Sequence, residues 1–354
     1  MADGLLSGLR VIDASLWQPG HTATQLLADL GADVLKVEPP GGDRMRRMPD
    51  RFTNYNGRKR SIVLDLKQPE GRSHFLELSR DVDVIVENGR PGAVDRLGVG
   101  FDAVRLVNPA IVYCSISGYG QTGPLAGATG HEANYQAIAG AMTFAADGSG
   151  PPRPAGMLVG DQGTGMAAAF GILAGVLRAR ATGEGEHVDI SIADLMACWV
   201  APLGLIDERR EPVGARASHR SPAMGTFRTA DDRWVVLGVF TEDHFWDALC
   251  DALDLSDMVG LAFAERSADG TDYGDRIAGA VGARPQAEVL ALLGALAVPV
   301  SPVLTRAEML EHPHFRERGT ITTGPDGYRS VGHPIRYRIH PALAPGVPPE
   351  LGRG

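Results

Sequence analysis

Short apolar runs alternate with amphipathic segments through the first 120 residues of the chain. Runs such as LRVID and VDVIVE are too short for helices and carry the β-branched residues that favour strands. Segments between them, such as ATQLLADL, have the spacing of an amphipathic helix. This alternation predicts βαβ units and a parallel sheet. The predicted strands cover 9–13, 32–38, 82–87 and 110–120.

The second half of the chain changes from this pattern to another. A long apolar helix is predicted to follow Asp161, and a strand and a helix follow within 187–203. At about residue 205 the sequence becomes polar and rich in helix-breaking residues, which indicates a linker. Beyond it the pattern predicts a hairpin over 224–240, with helices over 241–253 and 285–297. The change predicts that a second structural unit follows the α/β one.

The composition is ordinary for a soluble globular protein. The 354 residues carry a formal net charge of −9, which disfavours a general nucleic-acid binder. No stretch offers the roughly 20 uninterrupted apolar residues of a membrane span, and the first residues lack the features of a secretory signal. The three cysteines have no paired spacing, so we expect neither a disulfide framework nor a metal site. We therefore expect a cytoplasmic enzyme.

A basic stretch, residues 39–67, stands out against this acidic background. It holds eight lysine and arginine residues and few acids. Such a stretch suits a phosphate-rich ligand, although a solvated loop has the same composition. Glu38 ends the second predicted strand, where a dinucleotide-binding fold places its ribose-binding acid. The first loop has Gly20 but no GxGxxG pattern, which disfavours NAD binding.

His131 and Asp161 are the candidate catalytic side chains. His131 follows a turn-rich run of glycines, and Asp161 stands where a loop becomes a long helix. An imidazole and a helix-start carboxylate can form a proton-transferring or a nucleophilic pair. Taken alone, Asp161 is also typical of a helix N-cap, and His131 of a hydrogen-bonded loop histidine. The two residues by themselves leave these interpretations open.

An ordered set of motifs runs through residues 5–340. It comprises LSGLRVID, LGADVLKVEPPGGD, RKRSIVLDLK, VDVIVENGRPG, GYGQTGP, LVGD with its long helix, TGEGEHVDISIAD and VPVSPVLT. In this order and spacing the chain resembles the class III CoA-transferase family, which also contains 2-methylacyl-CoA racemases. The resemblance implies an α/β fold, with a doubly wound, Rossmann-like large domain and an inserted smaller α+β domain. It also implies a homodimer of interlocked chains.

The resemblance assigns both ends of the chain to the large domain. With the change of pattern near residue 205, we expect a large CoA-binding domain over 1–205. A linker and the small domain are expected over 206–310. Residues 311–354 are expected to return to the large domain.

The resemblance also implies a binding site for coenzyme A as part of an acyl-CoA substrate, with no further cofactor. Asp161 matches the family's catalytic aspartate, which is a nucleophile in transferases and a proton-transfer base in racemases. Asp161 therefore indicates the family without indicating the reaction. The positions that match the family's CoA contacts are Gln18, Leu64, Lys67, Asn88, Arg90 and Arg96.

His131 is the residue that discriminates between the two reactions. Racemases carry GHDINY here, with the histidine as the second base, whereas transferases usually carry an aromatic residue. The chain has GHEANYQA, which keeps Gly-His and Asn-Tyr but has Glu132 for the aspartate. Glu242 resembles the glutamate that supports this histidine in racemases. The mobile glycine-rich loop of several transferases has no matching run of glycines in 205–225.

These features predict a cofactor-independent racemase or epimerase of 2-methylacyl-CoA thioesters. His131 and Asp161 are expected to flank the α-carbon as two bases, with Glu242 orienting His131. The alternative is CoA transfer between an acyl-CoA and a carboxylic acid, with Asp161 as the nucleophile. A CoA-binding protein without turnover is disfavoured by the presence of Asp161, and a nucleotide-binding module by the missing glycine pattern.

Overall fold

Two units make up the structure, a computed structural model in which residues 4–144, 151–201, 221–268, 270–323 and 328–353 are described. The larger unit falls within Met1–Thr143, Arg153–Val200 and Pro313–Gly354, and the smaller one within Phe144–Pro152 and Ala201–His312. Most of the predicted linker, and most of the segment examined for a glycine-rich loop, lies outside the described residues.

A six-stranded parallel sheet lies at the centre of the described part of the larger unit. Its strands are β1 (Arg10–Asp13), β2 (Asp33–Glu38), β3 (Arg60–Val63), β4 (Val84–Glu87), β5 (Val112–Ser117) and β6 (Glu186–Ser191). Their order is β3-β2-β1-β4-β5-β6. The chain reverses its direction of travel across the sheet between β1 and β4, which is the switch point of a doubly wound sheet. The predicted doubly wound α/β fold is confirmed.

The sequence pattern missed one strand of this sheet, β3. β3 begins inside the basic stretch, with Arg60 exposed at its start. It pairs in parallel with β2, from Leu35 opposite Arg60 to Glu38 opposite Val63. The strand was not predicted because its apolar residues are few and directly follow charged ones. It is only partly buried, at the edge of the sheet.

Helices cover both faces of this sheet. The α-helices described within residues 18–200 are α1 (Gln18–Asp29), α2 (Pro49–Asn56), α3 (Pro69–Ser79), α4 (Ala93–Arg96), α5 (Phe101–Val107), α6 (Glu132–Ile138), α7 (Ala141–Phe144), α8 (Val159–Thr182) and α9 (Ile192–Val200). Alternate strand residues point to opposite faces. One core therefore joins Val11 and Val84 to α1 and α8, while the other joins Ile12 and Ile85 to α3 and α5.

Helix α8 begins beside the first turn of α1 because small residues allow close packing there. A Cβ atom added at Gly165 would lie 2.5 Å from the Cβ atom of Thr22. The predicted helix at Asp161 is confirmed, but it starts earlier, at Val159, and is longer, at 24 residues. Asp161 is therefore the third residue of the helix and lies in its first turn.

The smaller unit contains an antiparallel sheet of β7 (Met224–Arg228), β8 (Trp234–Gly238) and β9 (Val300–Pro302), in that order. The predicted hairpin over 224–240 is confirmed. The fully buried Trp246 belongs to the core that this sheet forms with its helices. The helices in this core are α10 (Asp243–Ala252), α12 (Gly270–Gly282) and α13 (Gln286–Ala295), and the smaller unit also contains α11 (Phe263–Ala268) and α14 (Arg306–Glu311).

The C-terminal segment returns to the larger unit. It contains α15 (Pro313–Glu317) and a hairpin of β10 (Ile321–Thr323) and β11 (Arg329–Val331). No helix in the described ranges is long and apolar enough to cross a membrane.

Candidate active site

A cavity of about 690 Å³ opens at the carboxyl ends of the central strands. Ligands bind at this edge of doubly wound sheets, next to the switch point. Gln18 follows β1, Asn88 follows β4 and Tyr119 follows β5, and all three line the cavity. Both candidate catalytic residues, His131 and Asp161, line it as well. The fold therefore brings together residues that are far apart in the sequence.

Asn88 holds the loop that leads into the cavity. Its Oδ1 accepts a hydrogen bond from the Leu16 N–H at 2.9 Å, and its Nδ2 donates to the Trp17 carbonyl at 3.4 Å. These bonds connect the end of β4 to the loop after β1. Gln18, the first residue of α1, is positioned by this connection.

Glu132 binds the first turn of α8 from the neighbouring helix α6. Its two carboxylate oxygens accept hydrogen bonds from the N–H groups of Gly160, at 2.8 Å, and Asp161, at 2.9 Å. Gln136 Nε2 donates to the same carboxylate at 2.8 Å. The residue before α8, Leu158, has no side chain that can accept a hydrogen bond. Glu132 therefore supplies the capping acceptor that the local sequence lacks.

This arrangement and burial together affect the ionisation of Asp161. A carboxylate at a helix start is ordinarily favoured by free N–H groups. Here Glu132 occupies two of those groups and adds a negative charge. Burial and the Glu132 charge raise the pKa of Asp161 to about 6. The Asp161 carboxylate accepts no hydrogen bond from the described residues, so it is available to react.

Tyr135 packs against two glycines at the cavity wall. A Cβ atom would lie 2.4 Å from its ring at Gly118 and 2.8 Å at Gly130. The Tyr135 hydroxyl donates to the Gly130 carbonyl at 2.5 Å, and its ring contacts that of Tyr119 edge-on at 5.2 Å. These contacts explain the glycines on either side of the cavity, which the sequence showed only as a turn-rich run.

His131 is exposed at the start of α6, where it is the N-cap residue. Its N–H group donates to Asn134 Oδ1 at 3.0 Å. Glu242 belongs to the smaller unit and is the N-cap residue of α10. Its Oε2 accepts a hydrogen bond from the Phe240 N–H at 3.0 Å, within its own turn. Hydrogen bonds from its own backbone N–H and that of Phe240 lower the pKa of Glu242.

The predicted CoA contacts divide into two groups. Gln18, Asn88 and Arg90 line the cavity, while the other three are not among its lining residues. Leu64 is 7% exposed and packs in the core of the sheet face that α3 covers. The remaining two, Lys67 and Arg96, are exposed.

Several cations of the basic stretch are paired with acids that lie outside it in the sequence. Arg46 contacts Glu38 at 2.6 Å and Arg60 contacts Asp33 at 2.8 Å. These pairs leave fewer charges for a phosphate-rich ligand than the sequence indicates. Arg51, by contrast, lines the cavity.

A second cluster of charged side chains is fully buried near the carboxyl ends of β1 and β2. Lys36 Nζ lies 2.9 Å from Asp43 Oδ2, which is 2.8 Å from His21 Nε2, and Lys59 Nζ lies 2.9 Å from Asp13 Oδ2. Burial and the Lys36 charge lower the pKa of His21 to about 4. Burial opposes ionisation of Asp13, but Lys36 and Lys59 hold the pKa of that carboxyl well below its usual value.

Sequence reasoning missed several residues of the cavity. It considered Glu132 only as a replacement for an aspartate and predicted no role for Trp17 at the site, although both residues line the cavity. It did not separate Arg51 from the rest of the basic stretch. The only sequence signal for Arg51 was membership of that stretch.

Known proteins similar to this chain include CoA-transferases. A succinyl-CoA:mesaconate CoA-transferase of Haloarcula hispanica is 34% identical over 348 residues, covering 90% of this chain and 85% of that protein. A formyl-CoA:oxalate CoA-transferase of Streptomyces avermitilis is 34% identical, covering 95% of this chain and 90% of that protein. The solved structure of a CAIB/BAIF family protein from Brucella suis matches with a TM-score of 0.89 at 26% identity, covering 99% of this chain and 97% of that one.

The prediction of a 2-methylacyl-CoA racemase is wrong, because these relatives are CoA-transferases. The pattern shared with racemases has structural roles here. His131 starts α6, Asn134 binds the His131 N–H, and Tyr135 packs on the glycines. Residues that form the start of a helix can match the racemase pattern without His131 acting as a second base. Glu242 was expected to orient His131 as a racemase base, and this role depended on the racemase prediction.

The family expectation itself is confirmed. The model of CoA-transferase family III matches residues 6–354, which is nearly the whole chain. The matched residues include the parallel sheet, the cavity at its strand ends and Asp161 in the first turn of α8. The chain belongs to CoA-transferase family III.

Proposed function

We propose that the protein moves CoA between an acyl-CoA thioester and a carboxylic acid, with Asp161 as the nucleophile. The observation that carries the proposal is the unbonded carboxylate of Asp161, which lines the cavity at the strand ends. The similarity to a succinyl-CoA:mesaconate and a formyl-CoA:oxalate CoA-transferase supports it. No metal or redox group is needed for the steps that follow.

The proposed reaction consists of acyl transfers through Asp161. The Asp161 carboxylate attacks the thioester carbonyl, which gives a mixed anhydride and the CoA thiolate. The thiolate attacks the Asp161 carbonyl, which releases the donor acid and leaves an aspartyl-CoA thioester. The acceptor carboxylate attacks that thioester and forms a second anhydride with release of the thiolate. The thiolate then attacks the acceptor's carbonyl, which yields the new acyl-CoA and restores Asp161.

The environment of Asp161 suits a nucleophile at neutral pH. A carboxylate whose pKa is raised to about 6 is still mostly ionised at pH 7. It is also a stronger nucleophile than a carboxylate of ordinary pKa, because basicity and nucleophilicity rise together. Glu132 holds the first turn of α8 and so fixes the backbone that carries Asp161.

We propose that CoA lies along the larger unit, with contacts from Gln18, Leu64, Lys67, Asn88, Arg90 and Arg96. Three of these residues line the cavity, which supports an entry of the thioester from the strand ends. Arg90 lies in the loop after β4 and is exposed there. A guanidinium at this position suits a phosphate or pyrophosphate group of CoA.

We also propose that the protein is a homodimer in which a second copy covers the outer face of α8. Phe170 and Leu177 are 77% and 73% exposed, and Met166 lies one turn before Phe170 on the same face. Exposed large apolar residues in such a row are typical of an interface. Sedimentation analysis should show a dimer, and Phe170→Asp should shift it towards monomer. A native chain that sediments as a monomer would contradict the proposal.

Isotope labelling tests the transfer mechanism. A carboxylic acid acceptor labelled with ¹⁸O in both oxygens should leave one ¹⁸O atom on Asp161 after a single turnover. Mass spectrometry of the peptide that contains Asp161 detects the label. Transfer of CoA with no label on this peptide would overturn the role of Asp161, and absence of any transfer would overturn the proposed function.

A further inference from the structure

Arg51 is a cation that the proposed mechanism does not use. It lies in α2, its side chain is exposed, and it lines the cavity that contains Asp161. Its guanidinium makes no hydrogen bond and no ion pair within the part of the chain that the structure describes. Arg46, by contrast, is paired with Glu38. A guanidinium left unpaired in a cavity is available to a ligand.

The structure connects Arg51 to Asp161 through Tyr55. Tyr55 is one helical turn after Arg51, on the same face of α2. The Tyr55 hydroxyl forms a hydrogen bond with the side-chain amide of Gln162, the residue after Asp161. The charges of Arg51 and Asp161 both act on the Tyr55 phenol, whose pKa is raised mainly by burial. Arg51 therefore lies on the side of the cavity that faces the start of α8.

The charges of the cavity restrict which substrate this position can serve. Asp161 and Glu132 both present carboxylates there, so a substrate with an additional carboxylate is repelled unless a cation offsets them. Arg90 is the other arginine among the described lining residues, and it lies at the end of β4 with the proposed CoA contacts. Arg51 is thus the arginine of the lining that remains for the acyl group or the acceptor acid.

We propose that Arg51 binds the second, non-reacting carboxylate of a dicarboxylic substrate. The inference rests on the proposed CoA transfer, whose substrates it narrows to dicarboxylic acids and their CoA monothioesters. A planar guanidinium matches a carboxylate in a two-point hydrogen-bonded pair. Arg51 is a specificity-determining residue in this proposal and takes no part in bond making.

Binding of two matched thioesters tests the proposal. Succinyl-CoA and butyryl-CoA differ in having a carboxylate or a methyl group at the same end of the acyl chain. The full chain with Asp161→Asn, which cannot form the anhydride, should bind succinyl-CoA at least about 10-fold more tightly than butyryl-CoA in calorimetry. Adding Arg51→Gln should reduce this ratio to within about 3-fold, and Arg51→Lys should restore part of it.

Two control variants separate Arg51 from the CoA contacts. Arg90→Gln should weaken the binding of both thioesters alike and keep their ratio. Arg80→Gln removes an exposed arginine at the end of α3 and should change neither dissociation constant.

Three results would overturn the proposal. They are a ratio near one while Arg51 is present, an equal loss for both thioesters in Arg51→Gln, and binding of neither thioester. Because no turnover is needed, failure of the ¹⁸O labelling alone would overturn the transfer mechanism without affecting the binding ratio.

Discussion

Two clusters of charged side chains lie near the strand ends, and they differ in whether their charges are paired. In the buried cluster, Lys36 and Lys59 each have a carboxylate within 2.9 Å, and all of these groups are fully buried. In the cavity, Asp161 and Arg51 have no such partner among the described residues. The same basic stretch of sequence supplies cations to both clusters.

This difference indicates that the buried cluster stabilises the fold and that the cavity charges serve the reaction. A buried charge is tolerated when an opposite charge and hydrogen bonds offset its desolvation, and removing one partner is strongly destabilising. An unpaired, partly buried charge costs stability and persists where the chemistry requires it. Substitutions in the buried cluster should therefore affect stability first, and those in the cavity should affect activity first.

Asp161→Asn should have the largest effect on activity. We expect CoA transfer to fall by about 10³-fold or more, because the amide is not a nucleophile. The pKa of Asp161 is raised from 3.8 to about 6 in the folded protein. Ionisation of this carboxyl is therefore less favourable in the folded than in the unfolded chain, which lowers the free energy of unfolding. That cost is absent at low pH and complete above about pH 6. The free energy of unfolding at pH 7 should therefore stay constant or rise by about 1 kcal/mol.

Transfer is measured by separating the CoA thioesters, and stability by urea unfolding. A loss of activity accompanied by a lower free energy of unfolding would mean that Asp161 serves the scaffold, which would remove the contrast between the clusters.

Lys59→Met should have the largest effect on stability. The substitution keeps the aliphatic stem but leaves the fully buried Asp13 with Lys36 at 3.9 Å as its remaining cation. We expect the free energy of unfolding to fall by about 3 kcal/mol in urea titrations. Lys67→Met, in the same basic stretch but exposed, should change it by less than about 0.5 kcal/mol. Equal effects of the two substitutions would contradict the pairing in the buried cluster.

Most of the α/β fold was predictable because its signals are local. The short apolar runs and the turns that end them predicted β1, β2, β4 and β5. The start of α8 was predicted after Asp161 although the helix begins at Val159, because its capping acceptor is Glu132, a residue of another helix. β3 was missed because it begins with a charged residue, Arg60. Its ion-pair partner, Asp33, belongs to the neighbouring strand β2 and cannot be identified from the local sequence.

The site was predictable in part, for the same reason. Asp161 and His131 were expected at one site, and both line the cavity. The reaction was predicted wrongly because His131, Asn134 and Tyr135 match a racemase pattern while serving the start of α6. The sequence did not distinguish Arg51 from the other arginines of the basic stretch. Which arginine forms an ion pair depends on tertiary contacts, and composition does not predict these.

Glu132→Gln should have a smaller effect, which appears in the pH dependence. Asp161 must be ionised to react, so kcat/KM should rise with pH through about 6 and then level off. Burial is the larger cause of this raised pKa and the Glu132 charge is the second. Removing the charge should move the midpoint to lower pH but leave it above 3.8, because burial remains. Glu70→Gln, on the exposed surface of α3, should leave the midpoint unchanged.

The same substitution also weakens the start of α8. A glutamine carbonyl can accept from one of the two N–H groups that Glu132 binds, while its amide nitrogen faces the other. We expect the free energy of unfolding to fall by about 1 kcal/mol. A midpoint that stays in place or moves to higher pH would show that the Glu132 charge does not act on Asp161. The two carboxylates would then be linked only through the backbone of α8, and Glu132 would belong to the scaffold side of the comparison.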